Sequence, residues 1–303
     1  MLFRRIIINA LFIGFLSGLL FTVVQYVGVS PIIFAAEEYE VAEPVVEKTV
    51  VEESIEKQQA TVQDHHGGQA VSDHHHAEPV VTDSIVTDSI VAVPDVVAQE
   101  AGHHHDEEAW GPEDGLERTL YTLLANVLAG IGFAAILLAV MSQLQLQGLT
   151  KLSVVKGLAW GAAGFIAFFA APGIGLPPEI PGIEAAPLDN RQSWWLLTVV
   201  ASGIGIGTLA FAKSYFKSVG LALLALPYLI GAPHPAGPEF MHPDANAVAI
   251  LTDLHHQFII ASGVTNLIFW LALGSLCAWA VNRYVLDKPV LDKQTLDSQY
   301  AQA

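Results

Sequence analysis

Apolar residues in this chain fall in long unbroken runs separated by short polar stretches, with one polar segment far longer than the rest. A helix that spans a bilayer needs about 20 apolar residues at 1.5 Å rise each. The first run starts after Arg4-Arg5 and stays uncharged to Glu37. A cleaved leader would carry an apolar stretch of about 7–15 residues and a small-x-small cleavage site. Here the run is about twice that length, and Phe34-Ala35-Ala36 puts a bulky residue where a small one is needed. The reading is a retained signal anchor, roughly residues 6–29.

Five more runs follow, near 119–142, 154–173, 193–212, 218–232 and 257–281. Four reach spanning length. The run at 218–232 is short, contains Pro227 and ends in Gly231-Ala232-Pro233-His234-Pro235, so it reads as either a full crossing or a re-entrant half-helix. Small residues four apart, at Gly14/Gly18, Gly157/Gly161 and Gly203/Gly207, would let helix backbones approach closely in lipid. The predicted fold is an all-α integral membrane protein, a bundle of five or six transmembrane helices with one long disordered outer loop. Its parts are a first transmembrane helix (1–30), an acidic histidine-rich extracytoplasmic loop (31–117), a helix bundle (118–282) and a cytoplasmic tail (283–303).

Lys and Arg in short loops set orientation, because they are retained on the cytoplasmic side. With six spans and both termini inside, the inner side holds Arg4, Arg5, Lys151, Lys156, Lys213, Lys217, Arg283, Lys288 and Lys293. The outer side holds Lys48, Lys57, Arg118 and Arg191. Trp194-Trp195 and Trp279 with Tyr284 fit aromatic belts at the interface.

Composition agrees: 52% of residues are hydrophobic and 14% charged, where soluble domains carry about 25% charged residues. The net charge of −17 belongs to one segment. Residues 31–118 hold 21 acids against three bases, and the remainder is near neutral. That segment repeats Val-Thr-Asp-Ser-Ile at 81–85 and 86–90 and has too few apolar residues to offset chain entropy. The lone Cys277 sits in an apolar run, so the chain can form neither an internal disulfide nor a thiolate metal site.

Three histidine clusters lie in the acidic segment: His65-His66, His74-His75-His76 and His103-His104-His105, each flanked by Asp or Glu. Imidazole with carboxylate suits divalent cobalt, nickel or zinc. The other four histidines fall in the predicted outer loop before the last helix. There Glu239 and His242, and Asp253 and His256, stand three apart, with His234 and His255 nearby. On a helix such pairs share a face and could ligate one ion; the competing reading is helix capping and solvation. Within the spans only Gln25, Asn126 and Asn266 stand out as polar, which suits hydrogen bonding between helices. No phosphate-binding loop and no catalytic constellation is visible, so an enzyme is not expected.

The stretch Glu108-Ala-Trp-Gly-Pro-Glu-Asp-Gly-Leu-Glu-Arg-Thr-Leu-Tyr-Thr-Leu-Leu-Ala-Asn126 resembles the CbtA family of predicted cobalt transporter subunits. So do Leu176-Pro-Pro-Glu-Ile-Pro-Gly182, Arg191-Gln-Ser-Trp-Trp195, the N-terminal Arg-Arg helix and Phe269-Trp270-Leu-Ala-Leu-Gly274. The resemblance implies cobalt uptake for cobalamin biosynthesis, across a bacterial inner membrane, with a small one-helix partner, CbtB, that carries its own histidine-rich tail. It also implies five spans, where the charge pattern here favours six. No catalytic residue carries over, and no nucleic-acid partner is expected. The function expected is therefore a membrane subunit for divalent metal uptake, cobalt first and nickel or zinc as alternatives. A membrane-anchored metal buffer or sensor without transport is the rival reading.

Overall fold

The computed structural model describes residues 2–39, 112 and 115–286. The central acidic segment with its three histidine clusters, and the C-terminal tail, lie outside the described residues. The elements are α1 (Leu2–Gly28), α2 (Ser30–Glu37), α3 (Leu116–Leu146), α4 (Val154–Phe165), a π-helical turn (Ile166–Ala170), α5 (Ala171–Gly175), α6 (Leu188–Phe211), α7 (Lys217–Ile230), α8 (Ala245–Ala280) and a second π-helical turn (Val281–Val285). Among the described residues, five helical stretches are long and apolar enough to cross a membrane: 2–28, 116–146, 154–175, 188–211 and 245–285. The stretch Ser214–Ile230 is apolar but shorter.

Each helix boundary has a local cause. Pro31 in the first turn of α2 has no N–H to give to α1, so the first apolar run breaks near Val29 and restarts. The Ser153 side chain accepts from the Lys156 N–H and starts α4. The Asp244 side chain accepts from the Asn246 N–H and starts α8 twelve residues before the apolar run that signalled it. Ala247, Leu251, His255 and Phe258 then form one buried stripe. Asp253, His255 and His256 consequently lie on a helix and not in the loop that the apolar pattern predicted.

In hydrocarbon no hydrophobic force draws apolar helices together, so packing requires close backbone approach. Two glycine seams provide it. Where Gly14 and Gly18 of α1 meet α3, a Cβ on Gly14 would stand 2.3 Å from the Ile131 Cα, and one on Gly130 would stand 2.6 Å from the Gly14 carbonyl oxygen. Where Gly157 and Gly161 of α4 meet α8, a Cβ on Gly161 would lie 2.2 Å from the Trp270 carbonyl oxygen, and one on Gly274 2.4 Å from that of Gly157. The third predicted pair differs. Gly203 and Gly207 have nothing within 4 Å; the α6–α7 contact instead runs through Gly205 and Gly220. Between the two main seams α1, α3 and α8 bury Ile13, Leu138, Met141, Leu273 and Cys277. Phe133, Phe168, Phe269 and Trp270 stack above them, Phe133 4.9 Å from Phe168 and Phe168 5.3 Å from Trp270. Phe12, Phe15, Leu128, Val200 and Ile204 point outward, as lipid-facing side chains should.

Polar pairings mark the two ends of the bundle. At one end Gln145 donates to Asn282 (3.1 Å) and Asn282 donates to the Leu152 carbonyl (3.1 Å), joining the α3–α4 turn to the end of α8. At the other, Glu37 after α1 meets Arg118 at the start of α3, and Ile183 pairs with Phe240. α7 folds back along α6, with the Trp194 indole donating to the Pro227 carbonyl (3.1 Å). The short helix therefore returns the chain to the end where α6 began, and both described ends, Leu2 and Leu286, fall at the Asn282 end.

Two outcomes test this architecture. Reporters fused after residue 37 and after residue 286 should report opposite sides of the membrane, whereas a five-crossing chain would put both on one side. Gly161→Val should cost about 1–3 kcal/mol of overpacking strain, read as a lowered unfolding temperature in detergent, while Gly203→Val should leave that temperature close to wild type.

Candidate functional site

Charge divides the described part of the molecule sharply. Its nine acids, Glu37, Glu38, Glu117, Glu179, Glu184, Asp189, Glu239, Asp244 and Asp253, all lie towards the Glu37 end. Seven bases, Arg4, Arg5, Lys151, Lys156, Lys213, Lys217 and Arg283, lie towards the Asn282 end. The only bases at the acidic end among the described residues are Arg118 and Arg191. Each meets a carboxylate: Arg118 forks onto both oxygens of Glu37, and Arg191 donates to Glu179. Such pairing cancels their charge locally, so the end stays acidic.

The four described histidines are all at this acidic end. His255 is buried, 6% exposed, on the inward stripe of α8. Its Nε2 faces the Pro178 carbonyl oxygen at 3.1 Å and its Nδ1 faces the Glu239 carboxylate. Phe240 stands edge-on to the ring at 6.3 Å. One imidazole thus ties α8 to the 176–187 and 231–244 loops. The tie is sealed by an apolar cluster of Val29, Ala36, Ile180, Phe240, Leu251 and Phe258, which also brings in α2. The loops are further joined by the Glu184 N–H donating to the Glu239 carbonyl at 3.0 Å.

The sequence pairs are distributed differently from their spacing. Glu239 meets His255 instead of His242. His242, half-buried, accepts from the Asp244 N–H through Nδ1 at 3.0 Å. Asp253 accepts from Gln257 at 2.8 Å, one turn on, and stays exposed, as do His256 and His234. Among the described residues no group of three or more His, Cys, Asp or Glu gathers closely enough to hold a metal ion. His65, His66, His74, His75, His76, His103, His104 and His105 lie outside the described residues.

Within the bundle, Asn126 donates to Thr22 (3.0 Å) and to Gln25 (2.9 Å), joining α3 to α1. Asn266 donates to Ser262 on its own helix. Sequence reasoning singled out Asn126 and Gln25 but missed Thr22 and the Arg118–Glu37 fork. A basic residue placed on the side where bases are depleted was the available signal for that fork.

The family model described as probable cobalt transporter subunit (CbtA) matches residues 3–282. No curated protein and no solved structure matches the chain. The match spans nearly all of the described bundle, and the chain belongs to the CbtA family.

The His255 tie has a measurable consequence. Glu239→Gln should leave the bundle folded but loosen the 231–244 loop, since the amide keeps an acceptor for the His255 ring but loses the charge that strengthens the bond. Hydrogen exchange in residues 231–244 should speed up accordingly, with the α4–α8 seam unchanged.

Proposed function

With CbtA membership as the premise, we propose that this chain is the membrane subunit of a divalent-cation uptake system, with cobalt as its cargo. The observation that carries the reading is the division of charge between the two ends. The basic end faces the cytoplasm by the retention of Lys and Arg, and the acidic end faces outside. An acidic mouth concentrates divalent cations before any specific ligand acts. The histidines at 65–66, 74–76 and 103–105 capture the ion, because neutral imidazole beside carboxylate suits cobalt and its neighbours nickel and zinc. His234, His242, Asp253 and His256 offer further ligands at the mouth, while His255 ties α8, which carries the last two, to the loop that carries the first two. A small single-helix subunit with a histidine-rich tail, of the CbtB kind, completes the system, which supplies cobalamin biosynthesis in a bacterial inner membrane.

The acidic segment works by capture, so its three clusters are redundant. In cells lacking other cobalt importers, radiolabelled cobalt should accumulate only when this chain and its partner are both present. Deleting residues 60–106 should raise the cobalt concentration for half-maximal uptake and leave uptake at saturating cobalt nearly intact. Capture should also weaken as pH falls through about 6.5, where imidazole protonates and ceases to bind metal. Binding of cobalt without any flux into vesicles would identify a buffer or sensor and reject transport.

A further inference from the structure

A cleft of about 350 Å³ opens between the first π-helical turn, α5 with the loop after it, and the start of α6. Its floor is apolar, with Phe168 and Phe169 from the π-helical turn, Pro172 and Trp195. Its rim is polar, with Glu179, Arg191 and Gln192. The opening has local causes. In the π-helical turn the Ala171 N–H reaches back to the Ile166 carbonyl, five residues away, which widens the helix. Gly173 has no side chain to fill the space, and a Cβ there would meet nothing within 4 Å. Leu188, Gln192 and Trp195 follow one exposed face of α6, continuous with Leu196 and Val200. The cleft therefore opens sideways from the bundle, on a lipid-facing side.

Depth orders the lining. From Arg191 to Trp195 α6 advances one turn, about 6 Å at 1.5 Å per residue. Charge sits at the acidic-end rim and aromatic surface lies beneath it, towards the membrane interior. Tryptophan marks the level of the bilayer interface. A small polar solute would leave the floor bare, and a hydrocarbon would leave the rim unpaired. A molecule with a polar head and an apolar tail satisfies both, and the bilayer itself supplies one.

The rim charges select the head. Arg191 donates through Nη2 to the Oε2 oxygen of Glu179, and the two side chains stay 30% and 25% exposed. A guanidinium carries five N–H donors and a carboxylate two acceptor oxygens, so each member has capacity beyond this one bond. Arg191 Nε is buried without a partner, so the guanidinium is short of acceptors. A cation and an anion side by side suit a head that carries both charges. Its phosphate accepts from Arg191, and its primary ammonium donates to Glu179. An anionic head would satisfy Arg191 alone, press against Glu179 and meet an end of the bundle that is already acidic. A quaternary ammonium has no N–H to donate.

We propose that this cleft binds one zwitterionic phospholipid of the phosphatidylethanolamine class, its head on the Glu179–Arg191 pair and an acyl chain over Phe168, Phe169 and Trp195. The lipid fills the gap between the α4–α5 stretch and α6. It also braces the 176–187 loop, whose Pro178 lines the cleft and offers its carbonyl to His255. The site depends on the membrane reading and not on the identity of the cargo.

The test is native mass spectrometry of the full chain in detergent with equal amounts of phosphatidylethanolamine, phosphatidylglycerol and phosphatidylcholine of the same acyl chains. One phosphatidylethanolamine should stay bound at collision energies that strip the other two, with several-fold higher retention. Gly173→Phe, which places a ring in the open space of the cleft, should remove that retention while the unfolding temperature in detergent stays close to wild type. Glu179→Gln should shift the preference to phosphatidylglycerol, because the guanidinium then lacks its counter-charge. Equal retention of the three lipids, or retention that Gly173→Phe leaves intact, overturns the site. A wild-type preference for either other lipid overturns the zwitterionic assignment, as does a Glu179→Gln chain that keeps the wild-type order.

Discussion

Close approach of backbone to backbone is the constraint on which this bundle depends. Lipid tails are as apolar as leucine, so α1, α3, α4 and α8 gain nothing by burying leucines against one another. They gain from dispersion between surfaces brought within reach by Gly14, Gly18 and Gly130 on one side and Gly157, Gly161 and Gly274 on the other. Hydrogen bonds across helices in membranes average only about 0.6 kcal/mol. The Asn126–Thr22–Gln25 link therefore selects a register more than it supplies stability. α8, packed against α4 on one side and joined to α1 and α3 through a shared core on the other, connects the two seams.

The same geometry sets where polar chemistry can occur. Tight glycine contacts close the middle of the bundle, and among the described residues a cavity with polar lining opens at the acidic end. There the loops are joined by main-chain bonds, one buried imidazole and an apolar seal drawn from α2, two loops and α8. Arg118 and Arg191, the exceptions to the charge division, are each accounted for by a carboxylate.

Much of the fold was legible because membrane insertion reads the chain locally. A run of 20 uncharged apolar residues specifies a crossing whatever surrounds it, and the alternation of Lys and Arg specifies the order of ends. The limits of that reading are equally physical. The start of α8 escaped notice because Asp253, His255 and His256 interrupt the apolar run, although Asp244 caps the helix well before them. The glycine spacing identified two seams but misplaced the third, since spacing shows that a close approach is possible and not which face meets a neighbour.

By itself, then, the sequence determined a helical membrane protein whose described acids and histidines gather at one end, because hydropathy and charge act residue by residue. Tertiary structure decided which residues meet. Glu239 and His242 stand three apart in the chain, yet the partner of Glu239 is His255, sixteen residues on, because the loop through residue 244 and the first turns of α8 bring those two together in space. Glu37 meets Arg118 across 81 positions of sequence, and Thr22 meets Asn126 across 104. Such pairings depend on the faces that the glycine seams bring into register, and no local pattern encodes a register between segments so far apart.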